Sequence, residues 1–264
     1  VALGVPLLAL AYFLAAPALP ALPAGDETVL VAGAIGLLMV AATTLSLLPA
    51  RGTVIGPLLI VLGAGLLAGV LNAAGVGAGA NVAEAILAAA VGLLFAHWLS
   101  APAVAIAVPV FVAAIDVWSV ASGPTSRLLE QSPDHADALS FDLPAWGDHG
   151  TAGQLGVSDA IFLSMFAAWA MHFGFRRGAT IVGLAFGLVA SLVLSIALDR
   201  AIPALPLLAA GYLLANLDRV RRLLRTEPRD AADDRRPSDG APDAAVARRP
   251  VVAEHVPGPR RDGD

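Results

Sequence analysis

The stretch PAVAIAVPVFVAAIDVWSVAS, residues 102–122, is apolar throughout except for a few small polar groups and one carboxylate, Asp116. Coiled as an α-helix at about 1.5 Å per residue, it is just long enough for a hydrocarbon core of roughly 30 Å. In water such a helix would expose apolar side chains on every face, whereas in lipid it satisfies its own backbone groups. It reads as a membrane span. An ionisable side chain inside a span is costly and a functional candidate by default, which singles out Asp116.

Outward from it, comparable runs occupy 3–22, 29–49, 53–74, 81–100, 157–175, 178–198 and 201–217, for eight spans in all. The first lacks a basic leading segment and a small-residue cleavage site, so it reads as a span and not as a signal peptide. Turn-like joints such as Gly25-Asp26-Glu27, Ala50-Arg51-Gly52 and Arg176-Arg177-Gly178 separate the runs. Only 123–156 is a long connection, carrying Glu130, Asp134, Asp137, Asp142 and Asp148 against Arg127. The expected organisation is N-terminal spans over 1–122, an acidic loop over 123–156, C-terminal spans over 157–217 and a charged tail over 218–264.

Composition agrees. Of 264 residues, 58% are hydrophobic and 14% charged, against about 25% charged in soluble domains. This argues against a cytosolic enzyme and for an all-α polytopic membrane protein. There is no Cys, which removes disulfides, thiolate metal sites and thiol catalysis. Residues 1–216 carry a net charge of −6 and the last 48 residues a net +1. In the tail, acids nearly cancel arginines and no aromatic platform is interleaved, so no nucleic-acid partner is expected. The tail's composition reads as disordered.

Arg219, Arg221, Arg222 and Arg225 follow the last span, and the positive-inside rule assigns them to the cytoplasm. With eight spans, Arg51, Arg176 and Arg177 then fall on the same side. Asp26, Glu27 and the acidic loop fall outside, making the chain a multi-pass protein of the cell membrane with a cytoplasmic tail and an extracytoplasmic 123–156 loop.

Asp159 lies about three residues into the sixth span, at a depth comparable to Asp116 when the two helices run in opposite directions. Two facing carboxylates in a poorly solvated site cannot both ionise cheaply and tend to hold one proton between them. Such a pair suits acid and base work on a water molecule. It suits a proton-coupled transporter equally well. The last span opens Ile202-Pro203-Ala204-Leu205-Pro206, which prevents a regular first turn at the same outer depth. Elsewhere the readings are plainer. Glu84, three residues after Asn81, reads as a first-turn complement to the helix dipole. His97 and His172 read as interfacial, without metal-ligand spacing, and no metal or organic cofactor is expected. Small-residue pairs Gly65/Gly69 and Gly183/Gly187 permit close helix approach.

The order of these features resembles the presenilin and signal peptide peptidase family of intramembrane aspartyl proteases. That family carries an Asp in one span, Gly-x-Gly-Asp at the next, and Pro-Ala-Leu at the start of the last. Here the motifs read Ile115-Asp116, Gly156-Val157-Ser158-Asp159 and Pro203-Ala204-Leu205-Pro206. The resemblance covers about 110–217. It implies a presenilin-like helical bundle in which Asp116 and Asp159 are catalytic. Gly156, Val157, Ser158, Pro203, Ala204 and Leu205 would shape the site and bind substrate. The implied substrates are transmembrane helices or signal peptides within the lipid bilayer. The family has nine spans, and the eight here would correspond to its last eight. Two departures stand out: Ile115 where the family has Tyr, and Ser158 where it has a second Gly. They motivate one alternative, a catalytically silent protein that binds membrane helices. The other alternative, a proton-coupled transporter, would often show matching interruptions in two halves, and 201–206 has no counterpart in the first half.

Overall fold

The computed structural model describes residues 3–22, 26–122, 140–147, 150–200 and 202–223, the side chains of 26–28 and 120–122 excepted. Arg127, Glu130, Asp134, Asp137, Asp148 and the tail beyond residue 223 lie outside the described residues.

The chain is mostly helical, in the order α1 (Gly4–Ala15), α2 (Asp26–Ser46), α3 (Ile55–Ala73), α4 (Gly77–Trp98), α5 (Pro102–Ser122), β1 (Ser140–Pro144), β2 (Thr151–Gly156), α6 (Val157–His172), α7 (Arg177–Ala197) and α8 (Ala204–Ala215). Tight 3-10 turns at Ala16–Ala18 and Leu48–Gly52 follow α1 and α2. Among the described residues, five helical stretches are long and apolar enough to cross a membrane: Val29–Gly52, Ile55–Ala73, Gly77–Trp98, Pro102–Ser119 and Arg177–Ala197. Gly4–Ala18, Val157–His172 and Ala204–Ala215 are apolar but shorter.

The runs at 3–22, 157–175 and 201–217 thus hold shorter helices than their apolar lengths imply, for local reasons. Pro17 sits in the first turn of the 3-10 segment that ends α1. The helix α6 cannot begin before Val157 because the preceding residues are a strand. Pro203 is extended, at φ −62° and ψ 129°, so α8 starts only at Ala204.

The acidic connection is not all loop. Its second half is an antiparallel hairpin pairing Ser140 with Gly156, Phe141 with Leu155 and Asp142 with Gln154, with a bulge at Leu143/Pro144. Side chains alternate as strands demand: Phe141, Leu143 and Leu155 are buried, while Asp142 and Gln154 are exposed and joined by a 3.0 Å hydrogen bond. The hairpin is pinned at both ends. Asn81 of α4 donates to the Asp142 carbonyl at 3.1 Å. At the turn, Trp146 Nε1 donates to Tyr12 Oη, Tyr12 donates to the Ala32 carbonyl, and the Gly147 N–H donates to the Ala16 carbonyl.

The centre of the bundle is α4 against α6. Its Ala- and Gly-rich sequence lets the backbones approach, because lipid supplies no hydrophobic drive between helices and close packing must hold them. A Cβ at Gly92 would collide with Ser164 Oγ and the Ile161 carbonyl oxygen, and Ser164 itself donates to the Ala89 carbonyl across the crossing at 3.0 Å. A second close crossing joins α7 to α8, where Gly183 meets Gly211 and Gly187 meets the Leu207 carbonyl. Of the two glycine pairs noted in the sequence, Gly183/Gly187 is therefore used. Gly69 faces open space, and Gly65 has only ordinary contact with Leu87. Below that crossing, fully buried Asn216 donates to Thr180 Oγ1 at 2.7 Å and to the Tyr212 carbonyl at 2.8 Å, and accepts the Arg176 N–H at 2.9 Å. Glu84 departs from its expected place. The helix α4 begins at Gly77, so Glu84 is beyond the first turn, and its carboxylate accepts Asn72 Nδ2 of α3 at 2.8 Å.

Candidate active site

Asp159 is the third residue of α6, and Gly156 is the residue that caps that helix. A carboxylate at this position reaches back to the capping backbone, the geometry of a capping box, and Asp159 accepts the Gly156 N–H in this way. A side chain at 156 would crowd it, since a Cβ there would lie 3.1 Å from Asp159 Oδ2. The same carboxylate also faces a cavity.

Asp116 reaches that cavity from a different quarter. It lies on α5, which packs chiefly against α8. Because Pro203 holds the chain extended, the first N–H groups of α8 have no partner within the helix. The Leu205 N–H donates to Asp116 Oδ2 at 3.2 Å. The two carboxylates are near enough to repel one another.

Both line one cavity of about 710 Å³, together with Gly156, Ser158, Pro203 and Ala204. Two of the expected residues take other roles. Val157 is packed against the hydrophobic core, and the Leu205 side chain is buried there too, so that only its backbone serves Asp116. The cavity also has walls that the motifs did not reveal. One is β2, from Gly153 to Gly156; another is α7, through Ser191 and Ser195. The two serines are four residues apart and so share a helix face, a spacing too ordinary to single them out before the cavity is seen. Asp199 and Arg200 close the rim.

Among the described residues, no three His, Asp or Glu side chains converge as a metal site. What the arrangement offers is a pair of carboxylates from two helices, one backbone donor fixed on each, and an extended strand alongside. His97 and His172 are elsewhere: they meet, with Arg51, in a second cavity of about 490 Å³. No family model, curated protein or solved structure matches the chain.

Proposed function

We propose that this protein is an intramembrane aspartyl protease of presenilin-like fold, spanning the cell membrane eight times with its tail in the cytoplasm. The observation that carries the reading is convergence: Asp116, Asp159 and the Pro203-Ala204-Leu205 break, from three distant parts of the chain, border one cavity. The motif order that resembles the presenilin and signal peptide peptidase family supports it independently.

In this reading the two carboxylates share one proton and hold a water molecule between them. The ionised carboxylate takes a proton as the water oxygen bonds to the scissile carbonyl carbon, and the protonated one donates to the carbonyl oxygen. As the tetrahedral intermediate collapses, one carboxyl protonates the departing amine and the other takes a proton from the gem-diol hydroxyl, so the C–N bond breaks, the carboxylic acid forms and the dyad again holds one proton. Substrates are single membrane helices or leftover signal peptides. A helical peptide bond is shielded by its own hydrogen bonds, so the substrate must first be drawn out as an extended segment. The Pro203-Ala204-Leu205 break and β2, along the cavity wall, give it somewhere to lie.

One observation favours a second reading, a silent helix-binding protein: Ser158 places a side chain in the cavity beside Asp159. The test is cleavage of labelled single-span substrates in reconstituted membranes. The protease reading expects cuts within the span that Asp116→Asn and Asp159→Asn each abolish. Binding without cleavage by both the wild type and Ser158→Gly would move the conclusion to the silent reading. Neither binding nor cleavage would leave both readings without support.

A further inference from the structure

The second cavity lies at the other end of the bundle from the carboxylates. Along α6 the separation from Asp159 to His172 is about 20 Å at 1.5 Å per residue. Four elements meet there: the 3-10 turn Leu48–Gly52, the last turns of α4 and α6, and the joint before α5. They bring Arg51, His97, Ser100 and His172 around a floor of Leu93, Ala96, Ala168 and Met171. Arg51, His97 and His172 are far apart in the sequence, and among the described residues no carboxylate lines the cavity.

The polar groups here are under-used. Arg51 makes one hydrogen bond, to the Leu48 carbonyl at 3.1 Å, leaving most of its donors open among the described residues. His172 has an edge contact with Phe173, and both imidazoles are exposed. This differs from the neighbouring Arg176 and Arg222, whose guanidinium groups are engaged by Asp218.

Charge decides what could bind. Two helix C-termini contribute about half a negative charge each, which Arg51 alone balances. The imidazoles then tip the cavity towards anions, since each offers an N–H donor and a positive charge when protonated. A metal cation would have only two imidazoles to bind it and a guanidinium against it. The volume far exceeds that of a bare phosphate group, and its apolar floor leaves room for a larger esterified head. The mouth is at interfacial depth: Trp98, next to His97, is 64% exposed and packs against Phe95, as aromatic residues do at headgroup level.

We infer that this cavity binds a phosphate-bearing anion, with Arg51, His97 and His172 as its ligands and Ser100 as an accessory donor. Basic pockets between spans commonly take phospholipid headgroups in this way. The site is independent of the protease reading.

The test uses the full chain reconstituted in phosphatidylcholine vesicles with or without phosphatidylglycerol, then extracted and weighed by native mass spectrometry to count bound lipid. A parallel arm adds inorganic phosphate. The variants are Arg51→Gln and His97→Gln/His172→Gln. Arg177→Gln is the control, removing an exposed charge at the same end outside the cavity. Selective retention of phosphatidylglycerol by the wild type and the control, about tenfold weaker in the cavity variants, is the expected result. Tenfold is what losing one modest charge-assisted hydrogen bond implies. Displacement of that lipid by inorganic phosphate, or phosphate binding with the same variant dependence, would assign the site to a free anion. Equal retention by all four proteins, or no binding in either arm, would overturn the inference. Unfolding in phosphatidylcholine alone should be the same for every variant, because the substituted side chains reach solvent or lie at the cavity rim; a variant that unfolds early would be replaced by Arg51→Lys or the single histidine changes.

Discussion

The two helices that carry the carboxylates are held in opposite ways. The helix α6 is at the centre, with Ala160, Leu163, Phe166 and Trp169 all buried and Phe166 stacked on Tyr212 of α8. The helix α5 is at the edge: Phe111 is 64% and Trp118 65% exposed, and its main packing partner is α8. Asp159 is therefore set by the frame of the bundle, together with the strand that leads into it. Asp116 is set at one remove, through α8 and the Leu205 N–H. In the protease reading, one central and one peripheral helix would let the carboxylates part for an entering substrate helix without repacking the core.

The comparison breaks most visibly at the central crossing. Gly92→Leu would push α4 and α6 apart against Ser164 and the Ile161 backbone, and a loss of about 3 kcal/mol or outright misfolding is expected. Circular dichroism during an SDS titration would measure it, and near-wild-type behaviour would mean that α6 is not the fixed member. Asn216→Ala removes three hydrogen bonds, two of which fasten the end of α8 to the start of α7. Its expected cost is about 2 kcal/mol, and α5 should loosen with it, seen as faster hydrogen exchange over 102–119 than over 157–172. Equal acceleration in both would say that α5 does not depend on α8.

A finer probe separates the backbone donor from the side chain at 205. Proline is tolerated in the first turn of a helix and lacks the N–H. Leu205→Pro is expected to cut cleavage about tenfold below Leu205→Ala, the share of one hydrogen bond to a charged group. Similar rates in the two would show that Asp116 does not need this donor. The smallest change is expected from Phe111→Leu on the outward face of α5, within about 0.5 kcal/mol of wild type. A larger loss in the same SDS titration would reveal a partner covering that face.

Much of this architecture is legible along the chain, because an apolar run long enough to cross a bilayer has few alternatives to a helix. Each of the eight apolar runs overlaps a helix, and five of those helices are long and apolar enough to cross a membrane. Their ends were less legible where composition stays apolar past the break, as at Pro17 and Pro203, since hydropathy does not register a backbone dihedral. The hairpin is hard to read in the sequence for a different reason. Phe141 and Leu143 alternate with polar neighbours over a few residues only, inside a segment dominated by acids, and their pairing depends on α2 and α4 covering one face. At the site, the motif residues were readable because their chemistry is rare in a span. Ser191, Ser195 and Gln154 were not, since such residues are ordinary until a cavity gives them something to face. The assembly of Arg51, His97 and His172 is a property of tertiary structure alone.

The latch of Tyr12 and Ala16 on the hairpin turn has a consequence in time. Tyr12 and Trp146 are 134 residues apart, and Asp116 and Leu205 are 89 apart. A ribosome makes residues in order, at about 5–20 per second, so α1 must wait several seconds for its partner to emerge. Asp116 must wait for α8. A chain interrupted before Pro203 would carry both carboxylates and no finished cavity, so any chemistry the pair performs waits on the emergence of α8.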